Sequence, residues 1–367
     1  IDWFIFSLFF IKVKSLSGTT NVSGTGVVQS SGVADVHWLI IPSTGAGGAS
    51  PLGMTYVVKA NISFNSNGLT QAIETFSAFI TVKPQPLLKI EHVLPFEVFG
   101  DEPLTPAVET LEPFQLGIRV TNAGFGTARN LKMDSAQPRI VDNKQDLLVD
   151  FRLLGATVGG QAVPNSLLVP LGSIAPGGVA QASWIMSASL SGRFTQLTSS
   201  FTHAAELGGA LTSLIESVTT HTLIKDVLVD LPGRDGTPDF LVNATQPRET
   251  LQQLLDAGGA PSADFILESD QQAPIPVANV AARLDGVLSG TNASLTLVLT
   301  QPVGPGVWTY ASIPFPQGSI ATLLFVRRAD GKVISPKNAW ISKHFRKSDL
   351  TVLYRVNILD LSSEASS

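Results

Sequence analysis

Alternation of apolar and polar residues with period two, cut short by glycine, proline or asparagine, constrains this chain more than any other feature. Tyr56, Val58, Ala60, Ile62 and Phe64 fall on one parity, and Val57, Lys59, Asn61 and Ser63 on the other. Phe114, Leu116, Ile118 and Val120 alternate likewise with Gln115, Gly117, Arg119 and Thr121, and Val352, Tyr354, Val356 and Ile358 repeat the pattern. Successive side chains of a strand point to opposite faces, so this period reads as strands with one face buried. Asn67-Gly68 and Asp330-Gly331 stand where such strands reverse, a strong short hairpin signal. The expected fold class is mainly β.

The stretch Leu116 to Met133, LGIRVTNAGFGTARNLKM, contains the one glycine pair that suggests a phosphate-binding loop. A dinucleotide fingerprint needs a third small residue and a following helix. Arg129 occupies the third position, and Ala128 to Met133 continue to alternate as a strand. The segment reads as a strand–turn–strand hairpin, with Asn122, Gly124 and Gly126 supplying tolerance of positive φ.

Length, 367 residues, suggests two to four domains. With 44% hydrophobic and 14% charged residues, cores are affordable and the polar surface is built from uncharged side chains, as is common outside cells. A net charge of −5 excludes the basic field that a nucleic-acid partner needs. Lys343-His344-Phe345-Arg346-Lys347 is the most basic run and reads as a solvated loop. The chain has no cysteine, which excludes disulfides, thiol catalysis and cysteine zinc sites.

Five segments follow from the punctuation. Residues 1–14 are strongly apolar, with Asp2 near the start and Lys12 and Lys14 after the apolar run. Three readings stay open for them: the tail of a truncated membrane anchor, a first buried strand, or a mistranslated start. Residues 15–86 form a β domain closed by Pro84-Gln85-Pro86. Residues 87–222 form a second β unit in which Trp184 is a core residue. It ends in a short amphipathic helix, because Leu207, Leu211, Leu214, Ile215 and Val218 recur at helical spacing. Residues 223–273 are a connector with a helix from Pro247 to Asp256, ended by Gly258-Gly259. Residues 274–367 are a C-terminal β domain.

Val120-Thr121-Asn122-Ala123-Gly124-Phe125-Gly126-Thr127-Ala128, followed by Ile174-Ala175-Pro176-Gly177-Gly178 and a Trp-bearing strand, resembles the bacterial cell-adhesion-related (CARDB-like) Ig-like domains. Those domains carry V-x-N-x-G-x-G-x-A and then L-x-P-G before a final strand. The resemblance covers residues 87–190, about a quarter of the chain, and the interval between its motifs is longer than in the simplest members. It implies a β-sandwich used as a surface spacer or adhesive module, and no catalytic residues. The whole is expected to be tandem Ig-like β-sandwich domains with one or two short helices at the middle joint.

Candidate chemistry is sparse. Asp230, Asp235 and Asp239, interleaved with glycine and Pro232, make an oxygen-rich turn that is a candidate for calcium, although the spacing is not that of an EF-hand. His203 and Glu206 share a face of the expected helix, with His221 beyond it, but a third metal ligand is missing. Trp308, Tyr310 and Trp340 are candidates for a flat sugar-stacking platform, or are simply core. No Gly-x-Ser-x-Gly elbow occurs. Sequons stand at Asn21, Asn61, Asn243 and Asn292.

The functional expectation is a non-catalytic extracellular or cell-surface protein, a spacer and binding surface for other surface or matrix proteins or polysaccharide. No cofactor other than the candidate calcium is implied, and contact with a membrane would come only through the apolar amino terminus. The alternative is a carbohydrate-binding accessory region of a larger secreted enzyme.

Overall fold

The computed structural model describes residues 4–6, 8–134, 139–140, 149–196, 214–286, 294–315 and 322–363. Twelve strands form one continuous mixed sheet. From one edge to the other they are Gln161–Val163, Phe151–Val158, Val179–Ala188, Phe114–Asn122, Leu88–Pro95, Ile215–Val227, Asp239–Asn243, Phe265–Leu267, Ile275–Asn279, Trp308–Pro314, Thr351–Leu361 and Ala339–Arg346. Two contacts are parallel, strand 215–227 on 88–95 and strand 308–314 on 275–279. The sheet therefore runs through the boundaries expected at residues 222 and 273.

A two-stranded sheet, Ala128–Asp134 with Leu168–Ile174, covers one face of the first half. Between the layers lies a core that includes Leu116, Ile118, Val120, Met133, Leu171, Trp184 and Met186. Burying each such side chain contributes about 1.5–3 kcal/mol. A second core, in the other half, joins Val227, Leu241, Ile266, Trp308, Tyr310 and Leu359.

The turn of the 116–133 motif is real, but it does not make a hairpin. Strand 114–122 pairs with 88–95 and 179–188, whereas strand 128–134 pairs with 168–174 in the other layer. The chain crosses between layers here, and its glycines serve close approach. Neither Gly124 nor Gly126 has positive φ. A Cβ on Gly124 would lie 2.3 Å from the nitrogen of Leu87, and one on Gly126 would lie 2.2 Å from the carbonyl oxygen of Pro84. Asn122, fully buried, locks the crossing. Its Oδ1 accepts from the N–H of Leu87 and Gly124, and its Nδ2 donates to the carbonyls of Gly126 and Ile174.

Strand 114–122 is buried on both faces. A Cβ on Gly117 would sit 2.4 Å from Cζ of Phe240, a residue three strands away in the sheet. Three strand spacings span about 14 Å in a flat sheet, so the sheet curls until its second half covers the back of the first. Val93, Leu223, Phe240, Val242 and Leu267 form a third core in the fold of that curl.

Other expectations meet mixed outcomes. The helix Arg248–Asp256 is present, follows Pro247 and ends before Gly258, which has φ +80°. The helix expected near 201–221 is not formed beyond Ile215, where a long strand begins, while residues 201–213 lie outside the described residues. Val218, Thr219, Thr220 and Thr222 are β-branched and favour the extended form, and pairing with 88–95 decides the matter. The basic run at 343–347 is not a solvated loop, because Lys343 to Arg346 belong to strand 339–346 with His344 and Phe345 buried. Asn67 and Gly68 turn as expected, with φ of 50° and 76°. Of the amino-terminal apolar run, Phe4–Phe6 and Phe9–Ser17 are strands, the latter paired with Asp35–Pro42. Among the described residues no helix is long and apolar enough to cross a membrane.

Candidate functional site

The curl brings charged side chains of the first half against main chain of the second. Arg119 sits on the parity that reads as solvent-facing, yet it is 1% exposed. Its Nε donates to the carbonyl of Glu268 at 2.8 Å and its Nη2 to the carbonyl of Gln272 at 3.0 Å. Nη2 also reaches the carbonyl of Gln271, and Nη1 pairs with the carboxylate of Glu91. One guanidinium thus ties three main-chain carbonyls of the 268–272 loop to strand 88–95. Gln272 returns a bond to the carbonyl of Asn122, and Gln181 donates to that of Pro238. Burial works to raise the carboxyl of Glu91, but His221 and Arg119 outweigh it and hold the group below its usual range.

A second ionic cluster closes the far side. The Nδ1 of His344 lies 2.9 Å from Glu97, and its Nε2 lies 2.9 Å from Asp256 at the end of the helix. Carboxylates only accept, so both ring nitrogens donate and the imidazole is charged. Burial alone would lower its pKa, but the two carboxylates prevail over burial and over Arg193, and the net shift is upward. Arg193 stands 3.5 Å from both Glu97 and Asp256 and donates to the carbonyl of Phe345. Asp256 opposes the helix dipole at that terminus, and these two cations compensate it.

The acidic turn divides. Asp230 is exposed. Asp235 accepts from Thr237 N–H and the Ser269 hydroxyl, while buried Asp239 accepts from the N–H of Val229 and of Ser269. Burial, with Asp235 nearby, pushes the carboxyl of Asp239 up to about 6. Both oxygens of Asp239 thus serve main chain. Neighbouring Glu268, 1% exposed, faces Arg234 at 3.4 Å. Among the described residues no group of three or more His, Asp or Glu side chains is disposed to hold a metal ion.

Of the three candidate platform rings, Trp308 and Tyr310 are 6% and 2% exposed, and Tyr310 donates its hydroxyl to Asn357. Trp340 stacks on Tyr310 with centroids 6.1 Å apart and packs against the same core. Trp308 and Tyr310 therefore belong to the second core, and Trp340, half-buried, packs against it. His221 lies on a strand beside Phe265 and Glu91, whereas His203, Glu206 and Asn292 lie outside the described residues. Asn243 is 1% exposed, its amide donating to Gln246 and Ser262, so that sequon is closed in the folded chain.

The arrangement is suited to holding two halves in fixed register. Sequence reasoning missed both ionic clusters, although Gly117 in a strand interior signals close approach of another element. No protein-family model, curated protein or solved structure matches this chain.

Proposed function

We propose that this chain is a non-catalytic structural and adhesive protein of the cell surface or extracellular space, acting as a rigid spacer that carries a binding surface. The observation that supports it best is the buried Arg119 network, which ties two halves of one sheet by main-chain contacts, as a rigid spacer requires. The Asn122 crossing gives a physical reason for the adhesion-type motif, since its asparagine and glycines each meet a specific packing demand. An Ig-like assignment of residues 87–190 agrees with a two-layer core closed by Trp184. The test is retention on immobilised polysaccharides and matrix proteins, with calcium and with chelator, while soluble products are followed by mass spectrometry. Retention without turnover supports an adhesive module, and no retention in either buffer supports a spacer. Turnover of any panel member overturns the reading.

A further inference from the structure

The amino-terminal unit and the twelve-stranded body share no strand pairing. Among the described residues, no strand between 4 and 82 pairs with a strand between 88 and 361. Their relative orientation falls to the connector Lys83-Pro84-Gln85-Pro86-Leu87. A flexible chain of that length has an end-to-end distance of about 12 Å and would let the two parts swing. This connector is stiff by composition. Each proline ring fixes its own φ at about −65°, and Lys83 and Gln85, which precede prolines, are held to extended backbone.

It is also seated between two walls. On the side of the body, the N–H of Gly126 donates to the carbonyl of Gln85 at 3.0 Å, and the N–H of Ala123 to that of Leu87 at 2.8 Å. The N–H of Leu87 in turn donates to Oδ1 of Asn122 at 3.2 Å. The atoms that a Cβ on Gly124 or Gly126 would strike first are connector backbone, at Leu87 and Pro84. On the side of the amino-terminal unit, a Cβ on Gly47 would lie 2.1 Å from the carbonyl oxygen of Lys83 and 2.5 Å from Cα of Pro84. Glycine on both walls lets three backbones lie this close. Pro84 to Leu87 are half-buried as a result.

The body-side wall is itself anchored. The carbonyl of Asn122 accepts from the N–H of Gly177 at 3.0 Å and from Nε2 of Gln272 at 3.1 Å, while its N–H donates to the carbonyl of Gly178 at 3.0 Å. Connector, both layers of the first half and the 268–272 loop of the second half converge on one residue. We infer that the seat is a rigid joint that locks the amino-terminal unit at one orientation on the body. A binding surface on either part is then held at a fixed distance and angle from the other. The bearing of this joint on function rests on the spacer reading, but the two fail separately, because orientation is measured without any ligand.

The chain has no cysteine, so paired spin labels carry no background. Phe79→Cys with Lys132→Cys, both exposed, reports across the joint, and Lys132→Cys with exposed Arg152→Cys reports within the body. Pulsed dipolar spectroscopy is expected to give one narrow distance for each pair. Gly124→Ala/Gly126→Ala should spread the distance across the joint over about 12 Å, the reach of a released connector, and leave the distance within the body unchanged. Gly47→Ala attacks the seat from the opposite wall and should spread the distance likewise, which settles the question if the double variant disturbs the body. A broad distance across the joint in the wild type overturns the inference. So does a narrow one that survives Gly47→Ala, or that survives the double variant with the body intact.

Discussion

Replacing Arg119 by Met tests whether the buried guanidinium holds the two halves together. The variant keeps a long apolar stem and removes every donor. Lost are the bonds to the carbonyls of Glu268, Gln271 and Gln272 and the pair with Glu91. What remains is a carboxylate whose side chain is 16% exposed, with His221 at 3.6 Å as its other cation. Breaking a buried pair from one side costs about 3–5 kcal/mol, chiefly because the other charge stays buried. Against a total of roughly 5–15 kcal/mol for a domain, that is a large fraction.

Urea denaturation followed by tryptophan fluorescence reads this directly, since Trp184 belongs to the first core and Trp308 to the second. The wild type is expected to unfold in one transition through these reporters. Arg119→Met should lower the stability by about 3–5 kcal/mol and separate the two cores into distinct transitions. Adding Glu91→Met removes the orphaned carboxylate and should recover about 1–3 kcal/mol. A loss below about 1 kcal/mol for the single variant, or strictly additive effects in the pair, would refute the claim that Arg119 carries the joint.

Three more outcomes are expected. The raised pKa of His344 contributes stability that is fully present below about pH 6.5 and lost as pH rises through the folded value. His344→Gln should therefore narrow its deficit against wild type as pH rises from 6 to 9 in urea melts, and a constant deficit would exclude that role. Asp239, pushed up to about 6, favours the fold below about pH 3.8 and loses up to about 3 kcal/mol as pH rises to 6. His92, pushed down to about 4 by burial, works oppositely across the same window. His92→Gln should expose a stability that falls between pH 4 and 6, and a level profile in that variant would count against Asp239. Gly126→Ala forces a Cβ onto the carbonyl oxygen of Pro84 and should cost about 1–3 kcal/mol, whereas Gly233→Ala meets no atom and is charged only for its φ of +84°. Equal melting temperatures for Gly126→Ala and wild type would show that the crossing relaxes freely.

What was legible in the sequence is what local chemistry decides. Alternation at 56–64, 114–120 and 352–358 locates strands, Asn67-Gly68 locates a reversal, and Pro247 with Gly258 brackets the helix. The ionic joint was not legible, for a specific reason. Arg119 and Thr121 lie on the parity that period-two reasoning assigns to solvent, and they would face solvent in a flat sheet. The sheet curls, and Phe240, over a hundred residues away, occupies the place beside Gly117. Parity reports which side chains share a face, but only the tertiary path reports what covers it. The same limit explains the crossing at Asn122, because a turn between paired strands and a turn between layers use the same residues and differ in partners far along the chain. It also explains Trp308 and Tyr310, whose shared face suits a sugar platform or a core equally well until Leu359 and Ile266 arrive against it.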